Sequence, residues 1–168
     1  MTEIREAAGD NDYRAFGELC TEYVAWCRER CKDLPWLVDE VFAAQSLEDE
    51  LKVLPTRYGP PGGRTLLAVR DGDVVGGGAY RRISPEVCEM KRLYVSGKAK
   101  GEGIGRRLCE ALLASAKEEG AQVIRLDTVN FMTEAIAMYE RLGFVSCPPF
   151  HTYPERMMPY MVFLEKRL

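Results

Sequence analysis

Seven residues, Glu89-Met90-Lys91-Arg92-Leu93-Tyr94-Val95, are followed after a short loop by Lys100-Gly101-Glu102-Gly103-Ile104-Gly105-Arg106, and together they have the types and spacing to hold a ligand. Leu93 to Val95 is β-prone, and the run from Ile104 onward has helical periodicity. Between them, alternating glycines let the main chain come close to a ligand, and the first turn of the helix leaves N–H groups without partners. Such a turn binds anions, because those donors act together with the positive end of the helix dipole. Six basic residues lie from Lys91 to Arg107 against one acidic residue, Glu102, in a chain with 26 acidic and 23 basic residues overall. The positive charge is therefore local to this segment.

The remaining sequence reads as the elements that must position that strand, loop and helix. Ile4 to Ala7 is a short first strand, and Gly9-Asp10-Asn11-Asp12 supplies turn and cap chemistry for a helix to about Cys31, on which Leu19, Tyr23, Trp26 and Arg30 fall at helical intervals. Beyond Pro35 the pattern weakens. Leu47, Leu51 and Leu54 mark another helix ending before Pro55, and Tyr58-Gly-Pro-Pro-Gly-Gly is a loop. Thr65 to Val69 and Val74 to Tyr80 flank the hairpin turn Asp71-Gly72, and Val87 to Val95 follows as the next strand. Ile104, Leu108, Ala111, Leu112 and Ser115 mark one face of a helix ending near Gly120, before a strand from Val123 to Leu126. A further helix from about Thr133 to Leu142 is capped by Gly143, and Phe144-Val145 and Met161 to Leu164 complete a mixed sheet.

At 168 residues with 46% hydrophobic content the chain fills one core, so residues 1–168 are expected to form a single α/β domain. No stretch approaches the roughly 18 uninterrupted apolar residues of a membrane span, and Met1-Thr2-Glu3-Ile4-Arg5-Glu6 lacks the basic-then-apolar order of a signal peptide. A cytoplasmic protein without a membrane partner is expected. The near balance of charge argues against nucleic acid, which would call for a basic face rather than one basic loop. Six cysteines raise the question of metal, but there is no C-x-x-C pair and His151 is the only histidine. The thiols read as reduced, small apolar residues, and no metal site is expected.

Three kinds of glycine-rich phosphate loop differ in spacing. A P-loop needs G-x-x-x-x-G-K-[ST], which is absent, and the dinucleotide pattern G-x-G-x-x-G fails because position 106 is arginine. Lys100-Gly101-Glu102-Gly103-Ile104-Gly105 instead resembles the R/Q-x-x-G-x-G/A pyrophosphate loop of the GCN5-related N-acetyltransferases, with lysine at the first position. Glu89 to Val95 resembles that family's fourth strand, and Ala135-Ile-Ala-Met-Tyr139-Glu-Arg-Leu-Gly-Phe144 resembles its A-x-x-L/M-Y-x-x-x-G-F motif. The resemblance runs from about Thr65 to Phe144, in the family's order, and implies that family's fold: a mixed central sheet of about six to seven strands flanked by about four helices.

The resemblance implies acetyl-CoA as co-substrate and an N-acetyltransferase. Lys100, Gly101, Gly103, Ile104, Gly105 and Arg106 would then hold the pyrophosphate, and main-chain groups of Leu93 and Val95 would pair with the pantetheine arm like an added strand. Many relatives carry a pantetheine-binding asparagine seven residues before the motif tyrosine. That position here is Met132, and Asn130 is the substitute candidate. Tyr139 would protonate the coenzyme A thiolate. Glu89 is the candidate base, four residues before Leu93 and so on one face with it in a regular strand. A main-chain N–H near Leu93 would stabilise the oxyanion at the bulge usual in this family.

Residues 65–144 are therefore expected to bind the coenzyme, with 9–60 and 145–168 on the acceptor side. Residues 1–54 hold 13 acidic and 6 basic residues, which hints at a cationic acceptor. The expected acceptor is a primary amine of a small molecule or peptide. Tyr23, Trp26 and Trp36 are candidate pocket aromatics, and Phe150-His151-Thr152-Tyr153 is a second lining with His151 as an alternative base. Relatives are often dimers, and Met157-Met158 is a candidate exposed surface for a homodimer. The competing function is a non-catalytic acyl-CoA sensor that keeps the loop without the chemistry.

Overall fold

The computed structural model describes residues 1–168 and contains seven strands in one sheet and six α-helices. Strand β1 (Glu3–Glu6) leads into α1 (Gly9–Arg30), then α2 (Pro35–Ala44), α3 (Leu47–Leu51) and α4 (Leu54–Tyr58). The meander β2 (Gly63–Arg70), β3 (Asp73–Ser84) and β4 (Val87–Val95) follows, then α5 (Ile104–Glu118), β5 (Val123–Val129), α6 (Thr133–Arg141), β6 (Val145–Ser146) and β7 (Met161–Arg167). The strand order is β1-β2-β3-β4-β5-β7-β6, and β4 with β5 is the parallel pair in an otherwise antiparallel sheet. The Asp71-Gly72 turn has positive φ at both residues, 54° and 89°, as a two-residue hairpin of matching twist requires.

Two layers of helix sandwich the sheet. Ile104, Leu108, Leu112 and Ala116 recur every four residues along α5 and bury against Leu66, Tyr80, Cys88, Met90, Ile124 and Leu126. On the opposite face α1 and α4 pack on Leu67 and Ala79 through Phe16, Cys20 and Tyr58. A third cluster joins Cys27 and Cys31 of α1 and Leu37, Val38 and Val41 of α2 to Met157 and Phe163.

The region from Pro35 to Tyr58 and the tail depart from the sequence pattern. Residues after Pro35 form a helix, with Pro35 in its first turn, and the expected helix ending at Pro55 is two single-turn helices. Pro55 does not end a helix but sits in the first turn of α4, where its missing N–H costs nothing. Met157 is fully buried and Met158 half-buried, so the pair is not the exposed surface expected from the sequence.

Strand β4 is bulged. Opposite β3 the register passes from Ala79↔Lys91 to Gly77↔Tyr94, so β4 carries one extra residue there, and Arg92 takes φ 59°. The bulge reverses the alternation of side chains along the strand. Glu89 and Lys91 meet Asp127 and the tail, whereas Leu93 packs into the α5 core, so the expected shared face of Glu89 and Leu93 is not formed. Gly78 makes room for this. A Cβ there would lie 2.9 Å from Leu93 Cδ1 and 3.0 Å from Leu112 Cδ1. Gly78→Ala is expected to destabilise the fold by about 1–3 kcal/mol, read as a lower urea midpoint at unchanged m.

Helix α6 ends in a Schellman motif that positions Tyr139. Gly143 has φ 91°, the Phe144 N–H donates to the Tyr139 carbonyl at 3.0 Å and the Gly143 N–H donates to the Glu140 carbonyl at 3.0 Å. The hydrophobic contact of the motif is Phe144 on Tyr139, with ring centroids 5.4 Å apart. The Tyr-x-x-x-Gly-Phe spacing thus locks one aromatic ring at the helix end.

Candidate active site

Two hollows meet in the middle of the sheet. The parallel pairing of β4 with β5 runs from Val87↔Val123 to Glu89↔Arg125 and stops, although β4 continues to Val95 and β5 to Val129. Past that point the strands splay. A groove of about 570 Å³ opens on the side of the glycine loop and α6. A smaller cavity of about 70 Å³ lies on the side of α1, α2 and β5. Tyr23, Leu93, Thr128, Met132 and Tyr139 belong to the walls of both.

The groove brings together Leu93, Val95, Lys100, Gly101, Gly103, Ile104, Gly105 and Arg106. Gly101 and Gly103 have φ 85° and 74°, and Gly103 caps α5. None of the N–H groups from Gly101 to Arg106 donates to a main-chain carbonyl, so they remain available to an anion. Arg106 is paired with Glu110 at 2.9 Å, and Lys100 Nζ lies 3.9 Å from the centroid of the Trp26 ring. Asn130 does not enter the groove. It is exposed on the far side of the turn, where its N–H donates to the Tyr160 carbonyl, and Met132 fills the wall instead.

Tyr139 stands where groove and cavity join, 7% exposed. Burial, with a smaller contribution from Cys109, pushes its phenol well above the ordinary tyrosine value, so it stays protonated at neutral pH. Glu89 is placed differently: fully buried, it lines neither hollow. Its Oε2 meets His151 Nε2 at 2.6 Å, and its Oε1 lies 3.3 Å from Arg81 Nη2 and 3.6 Å from Lys91 Nζ. Burial drives the Glu89 carboxyl up, but Lys91, His151 and Arg81 outweigh it and hold the group below the usual carboxylate range. His151, 31% exposed, lies at a separate shallow hollow in the tail.

The cavity wall holds residues that the sequence reading passes over. Asp127, with its side chain 1% exposed, lies with Oδ1 3.6 Å from Lys91 Nζ, and its Oδ2 accepts a short hydrogen bond from the Tyr153 hydroxyl. Tyr153 also accepts from Gln45 Nε2 at 3.0 Å, and Gln45 Oε1 accepts from Arg92 Nη1 at 2.7 Å. Arg92 Nε then donates to Glu50 Oε2 at 2.7 Å, and Tyr58 donates to Glu50 Oε1 at 2.6 Å. One polar chain therefore runs from Tyr58 through Glu50, Arg92, Gln45 and Tyr153 to Asp127, and Lys91 brings it near Glu89. The available signal was Arg125-Leu126-Asp127-Thr128, polar residues alternating through a strand that enters the core. The acidic excess of residues 1–54 is a surface property: Glu50 is its one buried member, and it is committed to Arg92, Arg57 and Tyr58.

The Acetyltransferase (GNAT) family model matches residues 22–144. An uncharacterised N-acetyltransferase of Schizosaccharomyces pombe is 33% identical over 120 residues, 70% of this chain and 73% of that protein. The IAA acetyltransferase of Azospirillum brasilense is 39% identical over 108 residues, 62% of this chain and 68% of that protein. The crystal structure of the PaiA N-acetyltransferase of Thermoplasma acidophilum in complex with coenzyme A aligns with a TM-score of 0.73 at 18% identity, covering 100% of this chain and 99% of that one. At that identity the likeness is one of fold.

Proposed function

The chain belongs to the GNAT family of acetyltransferases, and from that membership we propose that it transfers the acetyl group of acetyl-CoA to a primary amine by direct attack on the thioester. The observation that carries the reading is the shared wall: a groove ending on unpaired N–H groups meets a second cavity at Leu93, Thr128 and Tyr139. The coenzyme pyrophosphate lies over the first turn of α5, and the pantetheine runs beside Leu93 to Val95 in the gap that β5 leaves. The amine enters from the cavity. Holding both reactants across one wall turns an encounter in solution into a positioned reaction.

The chemistry divides between two side chains. The attacking nitrogen forms its bond to the carbonyl carbon and sheds a proton, while the C–S bond breaks and the sulfur takes up a proton. Asp127 is the carboxylate facing the amine in this reading, because its Oδ1 has no hydrogen-bond partner and it lies in the cavity wall. Glu89, the base expected from the strand pattern, acts from behind Lys91 as a positioning group. A main-chain N–H at the β4 bulge stabilises the oxyanion, and the buried Tyr139 hydroxyl donates to the departing sulfur.

The donor assignment is tested by thermal unfolding. Acetyl-CoA at about 100 times its Kd is expected to stabilise the protein by roughly 2.7 kcal/mol, a rise of several degrees in Tm. No shift would reject the assignment. An amine panel assayed for free-thiol release tests the transfer itself, and a Tm shift without thiol release from any amine would favour a sensor.

A further inference from the structure

Two buried polar atoms at the acceptor cavity lack hydrogen-bond partners, and they are of opposite kind, although Lys91 Nζ lies 3.6 Å from the acceptor atom. Arg92 Nη2 is a charged donor and Asp127 Oδ1 a charged acceptor, each without a hydrogen bond. Both side chains line the cavity, with exposures of 4% and 1%. A buried polar group left unmatched is costly, so a matched pair of opposite sign around one hollow marks what belongs inside it. The polar chain fixes their separation: Arg92 holds Gln45, Gln45 holds Tyr153 and Tyr153 holds Asp127, so neither orphan atom can turn away without breaking a bond.

Resting on the transfer reading above, we infer that the acceptor is a free α-amino acid with a small apolar side chain. Its carboxylate pairs with Arg92 Nη2, and its amino group faces Asp127 Oδ1, the carboxylate that receives the proton released on attack. The rest of the wall is mainly hydrophobic, with Val38, Val41, Phe42 and Met161 around the space left for the side chain. Lys91 is shared between Glu89 and Asp127 and Arg92 is paired with Glu50 through Nε, so what the wall offers a ligand anion is the one Arg92 N–H group left over.

The test uses the full chain with acetyl-CoA and matched acceptors: valine, valinamide and isobutylamine, compared by kcat/KM for thiol release. Valine is expected to exceed both neutralised analogues by roughly a hundredfold or more, because a site built to pair a buried charge rejects a ligand that leaves it unpaired. Arg92→Lys keeps the charge beside Glu50 but loses the guanidinium fork, and is expected to lower kcat/KM for valine at least tenfold more than for isobutylamine. Asp127→Asn is expected to lower kcat for all three. A second readout does not depend on turnover: with coenzyme A present, valine raises Tm and isobutylamine does not. Equal use of valine and isobutylamine would overturn the inference and leave the transfer reading intact. Valine binding without acetylation of any acceptor would keep the site and overturn the transfer reading.

Discussion

Tyr139→Phe is expected to lower kcat roughly a hundredfold while coenzyme A affinity stays within about twofold. The side chain suits a clean substitution. Its ring is fixed by the Schellman contact with Phe144, and phenylalanine keeps that contact. Its hydroxyl contributes no hydrogen bond to the protein, so removing it leaves no partner unsatisfied and Tm should stay within a degree or two. What the substitution removes is the proposed donor to the leaving sulfur. A phenol raised by burial is a weak acid, so in that role it would pass its proton as charge builds on the sulfur rather than form a separate tyrosinate first. Thiol-release kinetics and calorimetric titration with coenzyme A check the split. An unchanged kcat would remove Tyr139 from the mechanism.

Glu50→Gln is expected to destabilise the protein by about 3–5 kcal/mol, because it leaves the Arg92 guanidinium buried without its counter-charge. For a chain of this size the loss corresponds to a fall in Tm on the order of 10 °C. The pH dependence carries the sign. Burial raises the Glu50 carboxyl, but Arg92 and Tyr58 outweigh it and hold it below the usual range. A carboxyl depressed in the folded state stabilises above its unfolded pKa of about 4.3, and that contribution fades as pH falls through the folded value. The gap between wild type and Glu50→Gln should therefore be widest near neutrality and narrow below about pH 4. A gap independent of pH would mean that the carboxylate charge is not what holds Arg92. The same variant should weaken transfer, since Arg92 sits at φ 59° in the bulge and Glu50 is its strongest tether.

What was legible in the sequence is what short-range physics determines. The Asp71-Gly72 turn, the four-residue spacing along α5 and the Gly143-Phe144 ending are each specified within a dozen residues, and the structure has them where the pattern puts them. The glycine loop is equally local. Helices α3 and α4 were not legible in the same way: five residues each are too few to be stable alone, and packing of Leu47, Glu50, Leu54 and Tyr58 holds them. Nor does composition flag Arg92 as the bulged residue. Its left-handed backbone is held by Glu50, 42 residues away in sequence. Asp127 and Gln45 meet only through Tyr153, contributed by the tail. The glycine loop and the motif tyrosine, read from the sequence, line the groove, whereas Arg92, Asp127 and Gln45, found only in the structure, line the cavity, where no local pattern exists.

The early end of the β4–β5 ladder has a mechanical consequence. The sheet is two half-sheets, β1 to β4 and β5 to β7, joined by a ladder that covers the register from Val87↔Val123 to Glu89↔Arg125. A sheet is ordinarily continuous at its centre; this one is parted there beyond the third residue pair. Each half contributes one jaw to both hollows, Leu93 from the first and Thr128 from the second. Because both hollows are spanned by the same two jaws, their widths are not independent: whatever parts Leu93 from Thr128 in one parts them in the other.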